Sequence, residues 1–225
     1  MAVDHSQYTN VAVTSEGEIL TYQNPAVPLS CVDKYGNNRL KEINKMDGNI
    51  SDPTTYFQGY TDDWLLLNFG RVTAAEANLI LRDDWKCDMI CIKVQVPDEC
   101  GNWQTVAVLY PRNSWAMEAV NLTRYVPANG DFWVRLLWTA PHRLDFVGLD
   151  SSEHTQLTVS AASPTLAVHS IIGDVTAILL FDDENCVEIT TGEQVALVFT
   201  LPTKAPDTAR EFILYTNGYY YVVKS

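Results

Sequence analysis

The sequence predicts an all-β protein: a jelly roll or β-sandwich followed by a smaller C-terminal β module. Three observations predict it. First, residues 131–150 alternate with a period of two. Phe132, Val134, Leu136 and Trp138 fall on one face of an extended strand, and Trp133, Arg135, Leu137 and Thr139 on the other, because successive strand side chains point to opposite faces. Second, Ile92, Val94 and Val96 alternate with Lys93 and Gln95. A turn over Pro97–Asn102 follows, and Val106, Val108 and Tyr110 then return on one face, which reads as a hairpin. Third, such runs recur along the chain between Gly, Pro, Asn and Asp turns, while helical spacing is rare.

In order, residues 1–30 are polar, with short strands expected at Val11–Val13 and at Ile19 and Leu20, and a loop at Pro25 and Pro28. A turn at Tyr35–Asn38 uses residues that tolerate positive φ. Leu40, Ile43 and Met46 have helical spacing and predict a short helix over 39–46. A buried strand follows at 64–70, with Leu65, Leu67 and Phe69 on one face. Residues 74–81 read either as a helical turn or as the start of a strand, and 117–122 as another short strand. Within 131–150, Pro141 lacks the amide a ladder needs, so it splits the run into two neighbouring core strands. Residues 151–164 are small and polar and serve as a linker, dividing the chain into 1–154 and 155–225. Beyond it, Asp174 reads as the N-cap of a short helix. Hairpins are expected around Thr191-Gly192-Glu193, joining 186–189 to 195–201, and around Thr216-Asn217-Gly218, joining 212–215 to 219–223.

Composition narrows function. Acids outnumber bases 28 to 15, for a net charge of -13. Nucleic acid requires a basic footprint, and anionic lipid attracts cations; neither is an expected partner. The apolar runs fall short of the ~18 residues a helical span needs. The first residues carry no basic n-region and no apolar h-region, so the protein is either cytoplasmic or exported by a leader outside this sequence. Of the five cysteines, Cys87 and Cys91 would point the same way on a strand about 13 Å apart, too far to bridge. A bridge from Cys87 or Cys91 to Cys100 stays open, with buried free thiols the preferred reading.

The segment Trp64-Leu65-Leu66-Leu67-Asn68-Phe69-Gly70, the Trp103 hairpin and the run Leu144-Asp145-Phe146-Val147-Gly148-Leu149-Asp150 resemble galactose-binding-like (discoidin-type) jelly rolls. A second group is similar to a C-terminal module of uncharacterised prokaryotic surface-associated proteins: 173–180, Asp182-Asp183, Thr191-Gly192-Glu193, 210–215 and 218–220. The segment from Asp33 to Gly48 is similar to one that precedes that module. These resemblances imply an exported prokaryotic β protein and bring no catalytic residues with them. Jelly rolls of this type often hold a structural calcium.

Asp47, Asn49 and Asp52 place oxygen ligands in one loop and are the candidate calcium ligands, with Asp62 and Asp63 as residues that could join them; calcium needs 6–8 oxygens. Asn49 and Asn121 begin glycosylation sequons. His5, His142, His154 and His169 lie far apart with no nucleophile motif nearby. Trp115 and Trp133 lie off the main apolar faces and are candidate contacts for a glycan or protein partner. Tyr219, Tyr220 and Tyr221 are candidates on a final strand whose edge could recruit another strand, a second copy included. The sequence therefore reads as a non-catalytic protein of the cell surface with a structural, adhesive or self-assembly role. The alternatives are a calcium-dependent carbohydrate-binding module and a hydrolase whose site the sequence does not show.

Overall fold

The computed structural model describes residues 1–46, 56–85, 91–112 and 114–218. Its strands are β1 (Ala2–Ser6), β2 (Asn10–Val13), β3 (Ile19–Tyr22), β4 (Ser30–Asp33), β5 (Phe57–Gly59), β6 (Trp64–Asn68), β7 (Asn78–Trp85), β8 (Ile92–Pro97) and β9 (Trp103–Leu109). They continue with β10 (Ala116–Asn121), β11 (Trp133–Trp138), β12 (His142–Asp150), β13 (Thr158–Ser160), β14 (Pro164–His169), β15 (Gly173–Asp174), β16 (Val195–Phe199) and β17 (Thr208–Phe212). One short helix, α1, spans Thr176–Leu179. The all-β class is what the alternation predicted.

Two compact units result: Tyr8–Thr155, and Met1–Gln7 together with Gln156–Ser225. In the first, a five-stranded antiparallel sheet of order β4-β6-β11-β8-β9 and a four-stranded sheet of order β10-β7-β12-β5 share one core. Leu65, Leu67, Ile92, Val94, Val134, Leu136 and Trp138 come from the five-stranded sheet, and Leu79, Leu81, Val120, Leu144, Val147 and Leu149 from the other. On β6, β7, β8 and β11 these are every-other-residue sets; on β12 a register shift between Leu144 and Phe146 breaks the alternation, so that Leu144, Val147 and Leu149 face the core. The β8–β9 hairpin forms as expected, its turn closed by Gly101 at φ +82° and by Asp98, whose carboxylate accepts from the Cys100 and Asn102 amides. Three backbone bonds to Asp98 and a side-chain bond from Asn102 hold that carboxyl below its ordinary range.

Several expectations are corrected. The two core strands of 131–150 follow one another in sequence but do not pair. β11 lies between β6 and β8, while β12 lies between β7 and β5 in the opposite sheet. The Trp138 amide donates to Asp63 and the Thr139 amide to the Cys91 carbonyl, so the turn at Pro141 carries the chain from one sheet to the other. The helix over 39–46 shrinks to a single 3-10 turn, Leu40–Glu42. Ile43 is fully buried instead and accepts a backbone bond from Val147. Of residues 74–81, 78–81 form the start of β7, and 74–77 are neither helix nor strand.

The hairpin β2–β3 forms where two short strands were expected. It lays Ala12, Leu20 and Tyr22 over Ile80, Ala119 and Phe146, sealing an apolar patch on the far face of the four-stranded sheet. In the second unit β1, which the sequence reading placed with residues 1–154, pairs with β13 and β17. Arg210 donates twice to Asp4 across that pairing, at 2.5 and 2.7 Å. β16 pairs with β14 and not with 186–189, which forms no strand. Asp174 is not the N-cap of α1: the cap is Val175, and Asp174 accepts from the Thr176 amide and hydroxyl one residue further out. Of the hairpin expected to join 212–215 to 219–223, the first strand does not form as read, because β17 ends at Phe212 and 213–215 form no strand; 219–223 lie outside the described residues.

Candidate functional site

The open face of the five-stranded sheet carries the candidate site. β11 is the central strand, and its inward residues Val134, Leu136 and Trp138 are buried. Its outward residues are therefore Trp133, Arg135 and Leu137, all half-buried. On β6, Trp64, Leu66 and Asn68 face the same way, pairing in register with Leu137, Arg135 and Trp133. On β8, Lys93 pairs with Leu137 and Gln95 with Arg135. Trp103 of β9 pairs with Pro97, after a bulge that shifts the register. Three tryptophans, Trp64, Trp103 and Trp133, thus share one sheet face. Trp133 and Leu137, the latter beside Trp64, are four residues apart on one strand, about 13 Å at a rise of ~3.3 Å per residue.

Polar groups are fixed between these rings. The Arg135 guanidinium sits 4.6 Å from the Trp103 ring centroid. Arg135 Nε donates to Gln95 Oε1 at 2.8 Å, and Gln95 Nε2 donates to Thr105 Oγ1 at 3.0 Å. Beside Trp133, Asn68 Nδ2 donates to Asp131 at 3.0 Å. Flat apolar rings beside oriented donors are the chemistry that recognises a sugar, with its apolar ring face and hydroxyl rim, or an aromatic-rich partner surface.

Of the predicted contacts, Trp133 lies in this face and Trp115 does not. Trp115 packs on the outer side of the four-stranded sheet, 5.4 Å from the Arg82 guanidinium and 4.9 Å from that of Arg143, with Tyr56 edge-on at 5.9 Å. Arg82 is paired with Asp145 and Arg143 with Asp84. That cluster is internally satisfied in charge and reads as packing. Asp47, Asn49, Asp52, Tyr219, Tyr220 and Tyr221 lie outside the described residues. Asp63 is engaged by Lys34 at 2.6 Å and by the Tyr60 amide. Among the described residues no group of three or more His, Cys, Asp or Glu side chains is placed to hold a metal.

His142 is buried, and burial brings it down to about 4. His154 lies 3.3 Å from both Thr21 and Glu76. His169 Nδ1 accepts from the Ile171 and Ile172 amides, which leaves the proton on Nε2, 3.5 Å from Glu193. It lines a cleft of about 310 Å³ that Cys186 also lines, but with Nδ1 occupied and Nε2 protonated it is no base for that thiol. Cys31 is buried and pushed up to about 12, chiefly by burial. Cys31, Cys91, Cys100 and Cys186 are free thiols.

Asp83 is fully buried, with both carboxyl oxygens lacking a hydrogen-bond partner among the described residues. Burial, reinforced by Glu118 and Asp84, holds it well above the ordinary carboxylate range. It is a neutral core group beyond the reach of substrate. Its stabilising effect is full below an unfolded value of about 4 and is lost as pH rises toward the folded value, at about 1.4 kcal/mol per pH unit. His142 has the opposite sign: its contribution is full above about 6.5 and is lost as pH falls toward about 4. Asp83→Asn keeps the uncharged shape and removes the first dependence. Its stability relative to the parent is expected to rise between pH 4 and pH 8, read by urea unfolding at each pH; a difference that does not vary with pH would count against a neutral Asp83.

No family model matches the chain, and no curated protein matches it. Among solved structures it is similar to a family 6 carbohydrate-binding module studied for its binding sub-sites, at 10% identity and TM-score 0.31, over 66% of this chain and 86% of that one. It is similar to the CsCBM6-3 module of Clostridium stercorarium, solved with cellobiose, at 8% identity and TM-score 0.31, over 66% of this chain and 86% of that one. It is also similar to the C-terminal family 6 module of the laminarinase LamC of Zobellia galactanivorans, at 10% identity and TM-score 0.31, over 67% of this chain and 98% of that one. Among the described residues no helix is long and apolar enough to cross a membrane.

Proposed function

We propose that this chain is a non-catalytic, glycan-binding β protein that acts outside the cell or at its surface, with the open face of the five-stranded sheet as its binding surface. The observation that carries the reading is the gathering of Trp64, Trp103 and Trp133 on that one face, with Arg135 and Gln95 held between them. Aromatic rings at the centre of a binding surface carry most of its energy. Trp133→Ala is expected to weaken glycan binding by about 2 kcal/mol, roughly thirtyfold, while Trp115→Ala leaves affinity unchanged. A glycan array followed by calorimetry on the full chain tests this; a blank array, or equal loss from both substitutions, would overturn it.

A structural, self-assembling role is a second reading, favoured by one observation in the other unit. On one face of the β14–β16 pair, Leu166 lies opposite Val198 and Val168 opposite Ala196. Leu166, Val168 and Val198 are 41%, 38% and 50% exposed. An apolar patch bare to water is a place where chains associate; Asp174 of β15, in register with Val168, bounds it on the other side of β14. Light scattering of the full chain is expected to give an oligomer that Val198→Glu dissociates; a parent chain that is monomeric at high concentration removes this reading.

A further inference from the structure

Resting on the glycan reading above, we infer that the saccharide held on the five-stranded face carries a carboxylate, as uronic and sialic-type sugars do, and that Arg135 is the residue that reads it. The chain has eight arginines. Arg71, Arg112 and Arg124 are exposed, where water solvates the charge. The other five are half-buried. Four of these have a carboxylate of their own: Arg39 has Asp33 and Glu42, Arg82 has Asp145, Arg143 has Asp84, and Arg210 has Asp4. Arg135 is the exception, with no carboxylate partner among the described residues.

An arginine withdrawn from water without a counter-charge is costly unless something compensates it. The compensation visible in the chain is partial: Nε is engaged by Gln95, and the guanidinium stacks on Trp103. Among the described residues the two terminal nitrogens have no hydrogen-bond partner, and a guanidinium fork matches a carboxylate in two parallel bonds. Burial lowers the Arg135 pKa, whereas Arg39, Arg143 and Arg210 are raised by their carboxylates. A bound carboxylate would reverse the sign at Arg135.

Position supports the same ligand. Arg135 is on the central strand and Lys93 is two register positions away on β8, so two cations belong to the face that also holds the three tryptophans. The rings would stack on the sugar while the cations take its charge. The net charge of -13 opposes any anion at long range, but salt screens that field beyond about 10 Å at 0.1 M ionic strength and leaves a desolvated contact pair largely intact.

The test is calorimetric titration of the full chain with two matched pairs of probes: oligogalacturonate against its carboxyl-reduced form, and sialyllactose against lactose. The acidic member of at least one pair is expected to bind at least about tenfold more tightly, in keeping with a charge-assisted hydrogen bond. Arg135→Gln should bring the pair to parity, and Arg135→Lys should recover only part of the preference. If neutral glycans bind as well as acidic ones, or if Arg135→Gln keeps the preference, the inference is overturned while the glycan reading stands. If no saccharide of either kind binds, the glycan reading fails and takes the inference with it. An acidic peptide that displaces the sugar at lower concentration would overturn it in favour of a protein partner. The comparison of acid with neutral probe on the parent chain needs no variant to fold.

Discussion

Asp84→Ala is expected to lower the stability of the first unit by about 3–5 kcal/mol, because it leaves a half-buried guanidinium without its counter-charge. Asp84 and Arg143 are register partners on β7 and β12, facing away from the main core, and Asp84 is only 2% exposed. Arg143 grips both carboxylate oxygens, Nε at 2.6 Å and Nη2 closer still. The same guanidinium lies 5.3 Å from the Tyr56 ring and 4.9 Å from that of Trp115. Asp84→Ala therefore strands a charge and loosens the ring stack that the charge organises. Asp84→Leu combined with Arg143→Met should cost far less, since replacing both partners by apolar groups removes the desolvation term together with the attraction. Urea unfolding of Asp84→Ala and of the double variant, with an unchanged slope, reads the difference. A loss below about 1 kcal/mol for Asp84→Ala would place the pair among exposed bridges of little weight.

That cluster also shows where the sequence stops being readable. Trp115 was recognisable as lying off the apolar faces, and it is half-buried. Its two arginines come from β7 and β12, brought together by a pairing in which Arg143 and Asp84 are 59 residues apart, so nothing local reveals that its surface is already occupied. Trp133 was legible because its parity within β11 opposes that of Val134 and Leu136. The same parity marks Trp64 against Leu65 and Leu67, a signal that the expectation of a buried strand at 64–70 passes over. Trp103 could not be placed, since the bulge between Val94 and Gln95 changes which residues share its face. Arg135 was visible as a polar residue on a mixed face, but its lack of a carboxylate is a property of five strands at once.

The fold divides in the same way. Alternation is local, so strand existence at 64–70, 91–110 and 131–150 follows from side-chain order alone. Sheet membership is not local. β11 and β12 are separated by a three-residue turn and belong to different sheets, because the apolar faces of both can reach one core only from opposite sides. β1 finds β17 about two hundred residues away, where Arg210 neutralises Asp4. The helix expected from spacing at 39–46 was too brief to outlast competing pairings and shrinks to one 3-10 turn, while the one expected after Asp174 forms as the single turn α1.

The second large effect is at Trp138, where alanine should cost about 3–5 kcal/mol, in the range for removing a buried aromatic ring from a packed core. Trp138 is 0% exposed, and Phe57 meets it edge-on at 5.3 Å. The indole fits because Gly59, on β5, has no side chain: a Cβ there would fall 2.5 Å from Nε1 and 2.6 Å from Cδ1. Gly59→Ala should therefore destabilise the parent chain by about 1–3 kcal/mol through overpacking. In the Trp138→Ala background the same methyl enters vacated space, and its cost should vanish or change sign, giving a coupling of the size expected for residues in contact. If Gly59→Ala instead costs as much with the indole absent as with it present, the glycine is serving the β5 backbone, and the recess is not what fixes the ring at the end of the central strand whose outer face carries Trp133 and Arg135.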